Sequence, residues 1–289
     1  MREKLRPASR RWGGAPILLL FVLSSSLFSQ VKTYPYYYVS QRATYGIYRE
    51  AAQKQIYHLA TEFSLVPSWD SSFTFLYRQS GIDYTSGSSY KQSQFIGSYS
   101  RIFPARRSFI WSRFDVSFVD SNSILTNKNL TLYAETGFQD AAGRGGMGFS
   151  GFYSNYTDVN SFGASAFAWI SFGNRSVLSS KFNINAFSGE YHNQKRFYSG
   201  RVSLYLPSSG KVAFLFSGFM GKRSLFYDSD IKLIYNLTDT HLASAAVTIY
   251  FYASRSLTIF LDGTLERYEA YAGGRYRVFY LTLYGSIRI

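Results

Sequence analysis

The chain of 289 residues contains no cysteine, six prolines and three histidines. Without cysteine it has no disulfide, no thiolate nucleophile and no site for lipid attachment at an N-terminal cysteine, so the fold rests on packing and hydrogen bonding alone. His58, His192 and His241 lie far apart, and no metal-ligand spacing is present. Beyond the first thirty residues no run of 18 apolar residues occurs, which excludes a spanning helix there. Acidic residues are few: 17 Asp and Glu stand against 31 Lys and Arg, a net charge of +14. No compact basic patch or recognisable nucleic-acid module accompanies that charge, so a nucleic-acid partner is not expected. The glycines of "AAGRGGMGFSG" lack the Lys and Ser or Thr that a phosphate loop needs, and read as turn residues.

What the chain does have is aromatic residues, 26 Tyr and 26 Phe, which favour a pleated surface over a helix. Its first segment is different in kind. Arg2, Lys4, Arg6, Arg10 and Arg11 precede an apolar stretch centred on residues 18–23, the layout of a secretory signal. Cleavage near Ser29 or Gln30 leaves 1–29 as leader and 30–289 as a single domain.

That domain alternates with period two. Tyr57, Leu59, Thr61, Phe63 and Leu65 share one face, with His58, Ala60, Glu62 and Ser64 on the other. Phe73, Phe75 and Tyr77 oppose Thr74, Leu76 and Arg78, and Phe114, Val116 and Phe118 oppose Arg113, Asp115 and Ser117. Brief and longer polar breaks separate such segments. A soluble sandwich would carry Lys and Glu on its wet face, whereas here those positions are mostly Ser, Thr, Asn, Tyr and Gly. That is the makeup of a barrel lumen, with lipid against the apolar side. The expected fold is therefore all-β: a transmembrane antiparallel up-and-down barrel of about 14 strands, with 12 as the alternative. Strand parity is out of step around residues 241–265, where Ala253–Ser256 reads as a short turn at the wrong end. The final segment, "VFYLTLYGSIRI", alternates to the last residue, as closure of a barrel requires of its terminal strand.

With leader, amphipathic strands and terminal strand "FYLTLYGSIRI", the chain resembles bacterial outer-membrane β-barrel proteins as a class. The resemblance implies a Gram-negative outer-membrane location, contact with lipid and lipopolysaccharide, and recognition of the last strand by the barrel-assembly machinery. Ile289 departs from the aromatic end common in that class. The resemblance names no subfamily and implies no oligomeric state.

Lumen-lining candidates are Arg78, Arg113, Asp115, Glu135, Lys181, Arg201, Lys232 and Asp262, with Glu62 on the same face. Their slight positive excess points to a mild anion preference. Trp69, Trp111 and Trp169, with rings such as Tyr99, Phe103, Phe172 and Tyr276, are read as a membrane-interface girdle. Three functions follow: a passive, porin-like channel for small solutes; a structural or surface-interaction barrel with a closed lumen; and a hydrolase using His192 in "SGEYHNQKR". Inward-pointing Tyr133, Tyr205, Tyr250, Tyr280 and Tyr284 bear on the second. The chain is read as a non-enzyme, with no catalytic residues, no cofactor and no metal.

Overall fold

The computed structural model describes residues 34–123, 126–173, 175–191, 194–208, 210–234, 239–271 and 273–289. The expected leader and His192 lie outside the described residues. The strands are β1 (Tyr36–Arg49), β2 (Gln53–Ser68), β3 (Ser71–Tyr84), β4 (Ser89–Ala105), β5 (Ser108–Ser121), β6 (Asn129–Asp140), β7 (Gly145–Asn155) and β8 (Asn160–Phe172). They continue as β9 (Ser176–Tyr191), β10 (Gln194–Pro207), β11 (Val212–Arg223), two short strands β12 (Tyr227–Asp228) and β13 (Leu233–Ile234), then β14 (Thr240–Tyr252), β15 (Leu257–Glu269) and β16 (Arg275–Arg288).

Fourteen of these close into one antiparallel barrel in which each strand pairs with its neighbour in sequence, except that β11 pairs with β14. The preferred count of 14 holds, and 12 does not. Strands β12 and β13 form a separate hairpin inside the connection between β11 and β14. Closure is made by β1 and β16 in unbroken register from Tyr38↔Arg288 to Arg49↔Arg277. Backbone bonds continue that pairing to the last residue: Tyr37 N–H donates to Ile289 C=O at 3.2 Å and Ile289 N–H to Tyr37 C=O at 2.9 Å. The barrel sheet therefore has no open edge.

Burial follows the pleat. On β5, Ile110, Phe114, Val116 and Phe118 face out, while Trp111, Arg113, Asp115, Ser117 and Val119 are buried inside. Ile110 to Phe118 covers about 27 Å of strand, or roughly 21 Å along the axis at the usual tilt, close to the ~25 Å apolar band of outer-membrane barrels. Comparable outward rows run along β3 (Phe73, Phe75, Tyr77) and β16 (Phe279, Leu281, Leu283, Ile287). A closed sheet has no second layer to cover such rings, so the apolar outside is stable only against lipid.

Both described ends of the barrel chain lie at one rim, here the near rim. Ala253–Ser256 is a near-rim turn, which removes the parity conflict. The conflict arose at the far rim, where residues 224–239 form a single long connection between β11 and β14.

Candidate functional site

The described part of the long connection, residues 224–234, does not project from the barrel; it turns into the bore. At its start β11 loses register between Met220 and Arg223, a bulge that re-aims the strand. Gly221 there has φ 117°, and a Cβ would run into Tyr198 C=O, so only glycine suits the bend. Leu225 and Lys232, at φ 44° and 51°, hold the left-handed conformation uncommon for such residues. The result is a compact plug in which Leu225, Phe226, Tyr227, Ile231, Leu233 and Ile234 are at most 3% exposed.

Charged and polar contacts tie the plug to the wall at about mid-height. Arg201 on β10 reaches Asp228 at 2.9 Å and Asp230 at 2.8 Å. Arg223, at the end of β11, takes Asp228 at 2.9 Å, and Lys181 on β9 takes Asp230 at 3.2 Å. Lys232 pairs with Glu62 on β2 at 3.1 Å. Arg78 on β3 donates to the backbone carbonyls of Ile231 and Lys232, both at 2.9 Å. On β5, Arg113 donates to Ser229 C=O at 3.2 Å and to Asp115 Oδ1 at 2.8 Å, while Tyr227 O–H donates to Asp115 at 2.7 Å. In the barrel order β2 and β9 lie seven strands apart in either direction, and so do β3 and β10. A segment from Asp228 to Lys232 is therefore fastened to diametrically opposite walls and crosses the whole bore.

The chemistry of these anchors is one-sided. The wall supplies mostly cations, Arg78, Arg113, Lys181, Arg201 and Arg223, and the plug answers with two carboxylates and three carbonyls. Burial pushes the Asp228 and Asp230 carboxyls up, but Arg201 and Arg223 beside the first, and Lys181 and Arg201 beside the second, outweigh it and hold both below the usual carboxylate range. Lys232 is drawn down by burial, against the pull of Glu62. Such pairs add little over an apolar core of the same shape, yet removing one partner strands a buried charge.

Apolar packing adds to these ties. Leu225, Phe226, Tyr227 and Ile234 join Leu76, Ile96, Val119, Tyr133, Phe152, Tyr156, Phe187 and Phe197 in one cluster. Tyr227 lies 5.1 Å from the Tyr133 ring, and Phe226 meets Phe152 edge-on at 5.1 Å. Nearer the near rim a second cluster of Trp169, Val177, Tyr205, Ala213, Leu215, Tyr250 and Phe260, with Tyr252 and Tyr284, lines the bore. Among the described residues no group of His, Asp or Glu has metal-site geometry.

No protein-family model matches the sequence, and no curated protein matches it. Solved structures do match in fold. The chain superposes on the CymD monoaromatic hydrocarbon channel with a TM-score of 0.61 at 6% identity, covering 96% of this chain and 93% of that one. A TodX deltaS2S3 mutant monoaromatic hydrocarbon channel gives 0.56 at 8% identity over 97% and 95%. A bacterial polysaccharide outer membrane secretin gives 0.56 at 11% identity over 89% and 100%. The fold is that of bacterial outer-membrane β-barrels. Identity this low speaks for the fold alone.

Within this outer-membrane barrel fold the lumen candidates are placed as follows. Arg78, Arg113, Asp115 and Glu135 are buried on inward faces, as is Asp262, which accepts from Thr248 at 2.6 Å and Thr264 at 2.7 Å. Arg113 and Glu135 are register partners, but Arg113 is taken by Asp115 and Glu135 accepts from Tyr133 O–H. Lys181 and Arg201 face inward against the plug. Lys232 is inside the barrel too, but it belongs to the plug and not to a spanning strand. Trp69 sits exposed in the β2–β3 turn at the near rim, whereas Trp111 and Trp169 do not belong to an interface girdle. Both share the inward face of their strands, Trp111 stacking on Phe167 at 5.7 Å and Trp169 within the near-rim cluster. Tyr276 is likewise buried inside, on Tyr268. The alternation carries all three inward because their registers match buried neighbours. The sequence pattern did not single out Tyr227, Asp228 and Asp230. The signal for them was present: "SLFYDSD" puts three large apolar residues in a connection that, if wet, would have none.

Proposed function

We propose that the protein is an outer-membrane channel for small solutes whose bore is closed at rest by its own β11–β14 connection. The observation that carries this reading is the wall-to-wall fastening of the plug. It is a separate segment, the fourteen strands close without pairing to it, and its ties to the wall include ionic contacts that can exchange for water. CymD and TodX, both monoaromatic hydrocarbon channels, support a small-solute reading, and the aromatic near-rim lining offers apolar solutes a favourable surface. The leader directs export, lipid and lipopolysaccharide surround the apolar belt, and the last strand is what the assembly machinery engages. Once the plug withdraws, Arg78, Arg113, Lys181, Arg201 and Arg223 line the bore, and charged solutes that enter are predominantly anions.

The second reading, a permanently sealed structural barrel, draws on the apolar cluster that the plug shares with seven strands. Solute flux into proteoliposomes separates the two. We expect a variant with residues 225–238 replaced by a short Gly-Ser linker to admit small aromatic and sugar solutes much faster than the full chain. Equal, negligible flux from both proteins would favour the sealed barrel.

A further inference from the structure

On the outside of the far rim the register stacks like charges. Arg277 on β16 is the register partner of Arg49 on β1 on one side and of Arg267 on β15 on the other. All three are exposed and face outward, and Arg275 follows two residues beyond Arg277 on the same face. Directly opposed side chains have Cβ atoms about 5 Å apart, and like charges so placed are destabilising. The one carboxylate in register with the row, Glu269 opposite Arg275, is taken by Lys222 at 3.3 Å. Among the described residues no ion pair is made by Arg49, Arg267, Arg275 or Arg277. At the near rim Arg101 has Asp70 at 3.6 Å and Arg144 has Asp140 at 2.9 Å, and although Arg106, Arg107 and Arg175 make no ion pair among the described residues, they are not register partners of one another.

The row also stands at a boundary. Two residues toward the middle of the barrel on each strand, Ile47, Phe279 and Leu265 are register partners, exposed by 47, 53 and 50%. An apolar shelf of acyl-chain character therefore lies about 7 Å below the guanidinium row. Guanidinium groups bind phosphate oxygens in pairs, with geometry that lysine does not match. A ligand that satisfies both levels carries phosphates above and acyl chains below.

We propose that Arg49, Arg267 and Arg277 form a binding site for the phosphates of an acylated, phosphorylated glycolipid, the chemistry of lipid A, in the far-rim leaflet. The inference rests on the outer-membrane reading, but detergent binding tests it separately. Full-length barrel in detergent is titrated with lipid A bearing both phosphates, with its monophosphoryl form and with inorganic phosphate, and occupancy is followed by native mass spectrometry. Each basic residue at an anionic lipid surface is worth about fivefold, so the triple variant R49Q/R267Q/R277Q is expected to bind bisphosphorylated lipid A roughly 100-fold more weakly. The single variant R277Q is expected to lose about fivefold. The wild type prefers the bisphosphorylated form, the triple variant does not discriminate, and a charge-matched near-rim control, R106Q/R107Q/R175Q, binds like wild type. Without lipid the far-rim triple variant melts no lower than wild type, since repulsion is relieved. Equal losses in both triple variants, retained affinity in the far-rim variant, or displacement of the lipid by millimolar inorganic phosphate would overturn the site. Failure of the protein to fractionate with the outer membrane would instead remove the localisation while leaving the detergent result to stand.

Discussion

Replacing Asp228 by Asn tests the plug at its most loaded anchor. Asp228 holds Arg201 and Arg223, each at 2.9 Å, with side-chain exposures of 14 and 3%. The asparagine keeps the shape but leaves two guanidinium groups facing an uncharged amide. Breaking a buried pair from one side costs about 3–5 kcal/mol. Arg201 retains Asp230 at 2.8 Å, which argues for the lower end. At about 3 kcal/mol the equilibrium between inserted and withdrawn plug shifts roughly 150-fold. The absence of native cysteine makes the assay clean. In an Ile231→Cys background, where the residue is 1% exposed, a membrane-impermeant maleimide reacts only when the plug is out, so the labelling rate follows the open population. The expected result is a rise of about two orders of magnitude for D228N, with the barrel still folded by heat-modifiable gel mobility. The exposed far-rim control Asp158→Asn leaves the rate unchanged. A D228N rate within threefold of the parent would refute the view that ionic anchors hold the plug.

Three further outcomes are expected. The carboxyls of Asp228 and Asp230 sit below their ordinary range, so the stability they lend the closed state is complete above about pH 3.9. It is lost only as pH falls through the depressed values: conductance of the full chain stays minimal from pH 8 to 5 and rises in stronger acid, and opening between pH 6 and 5 would contradict this. In single-tryptophan variants, lipids brominated near the headgroup quench Trp69 and spare Trp111 and Trp169, which are 8 and 7% exposed; quenching of Trp111 would place it in the girdle after all. Gly163→Ala forces its Cβ into the ring of Phe152, which supports Phe226 of the plug. It lowers stability in denaturant titration by about 1–3 kcal/mol, whereas Gly263→Ala, with nothing within 4 Å, is neutral.

Much of the barrel was legible because a pleat imposes period two, and lipid enforces it on the outside. Rows such as Phe73, Phe75 and Tyr77 mark strands with one apolar face, and Tyr133, Tyr205, Tyr250 and Tyr280 fall inside as their phasing requires. The plug was not legible for the same reason. Ile231, Leu233 and Ile234 around Lys232 carry the apolar character of a strand, but their burial comes from the lumen and not from lipid. Period alone does not distinguish these two apolar surroundings. Trp111 and Trp169 misled through composition: aromatic rings near strand ends are usual at an interface, but their registers put them on the face of Arg113 and Ser161. The partners of Asp228 and Asp230 come from β9, β10 and β11, contacts that no local pattern encodes.

Single-channel recording in planar bilayers tests the central claim most directly, because it reads the bore itself. The full-length protein should insert with conductance near baseline, and the variant lacking residues 225–238 should give large steps linear in voltage and selective for anions. Large steps of equal size from both proteins would contradict a bore closed by its own loop.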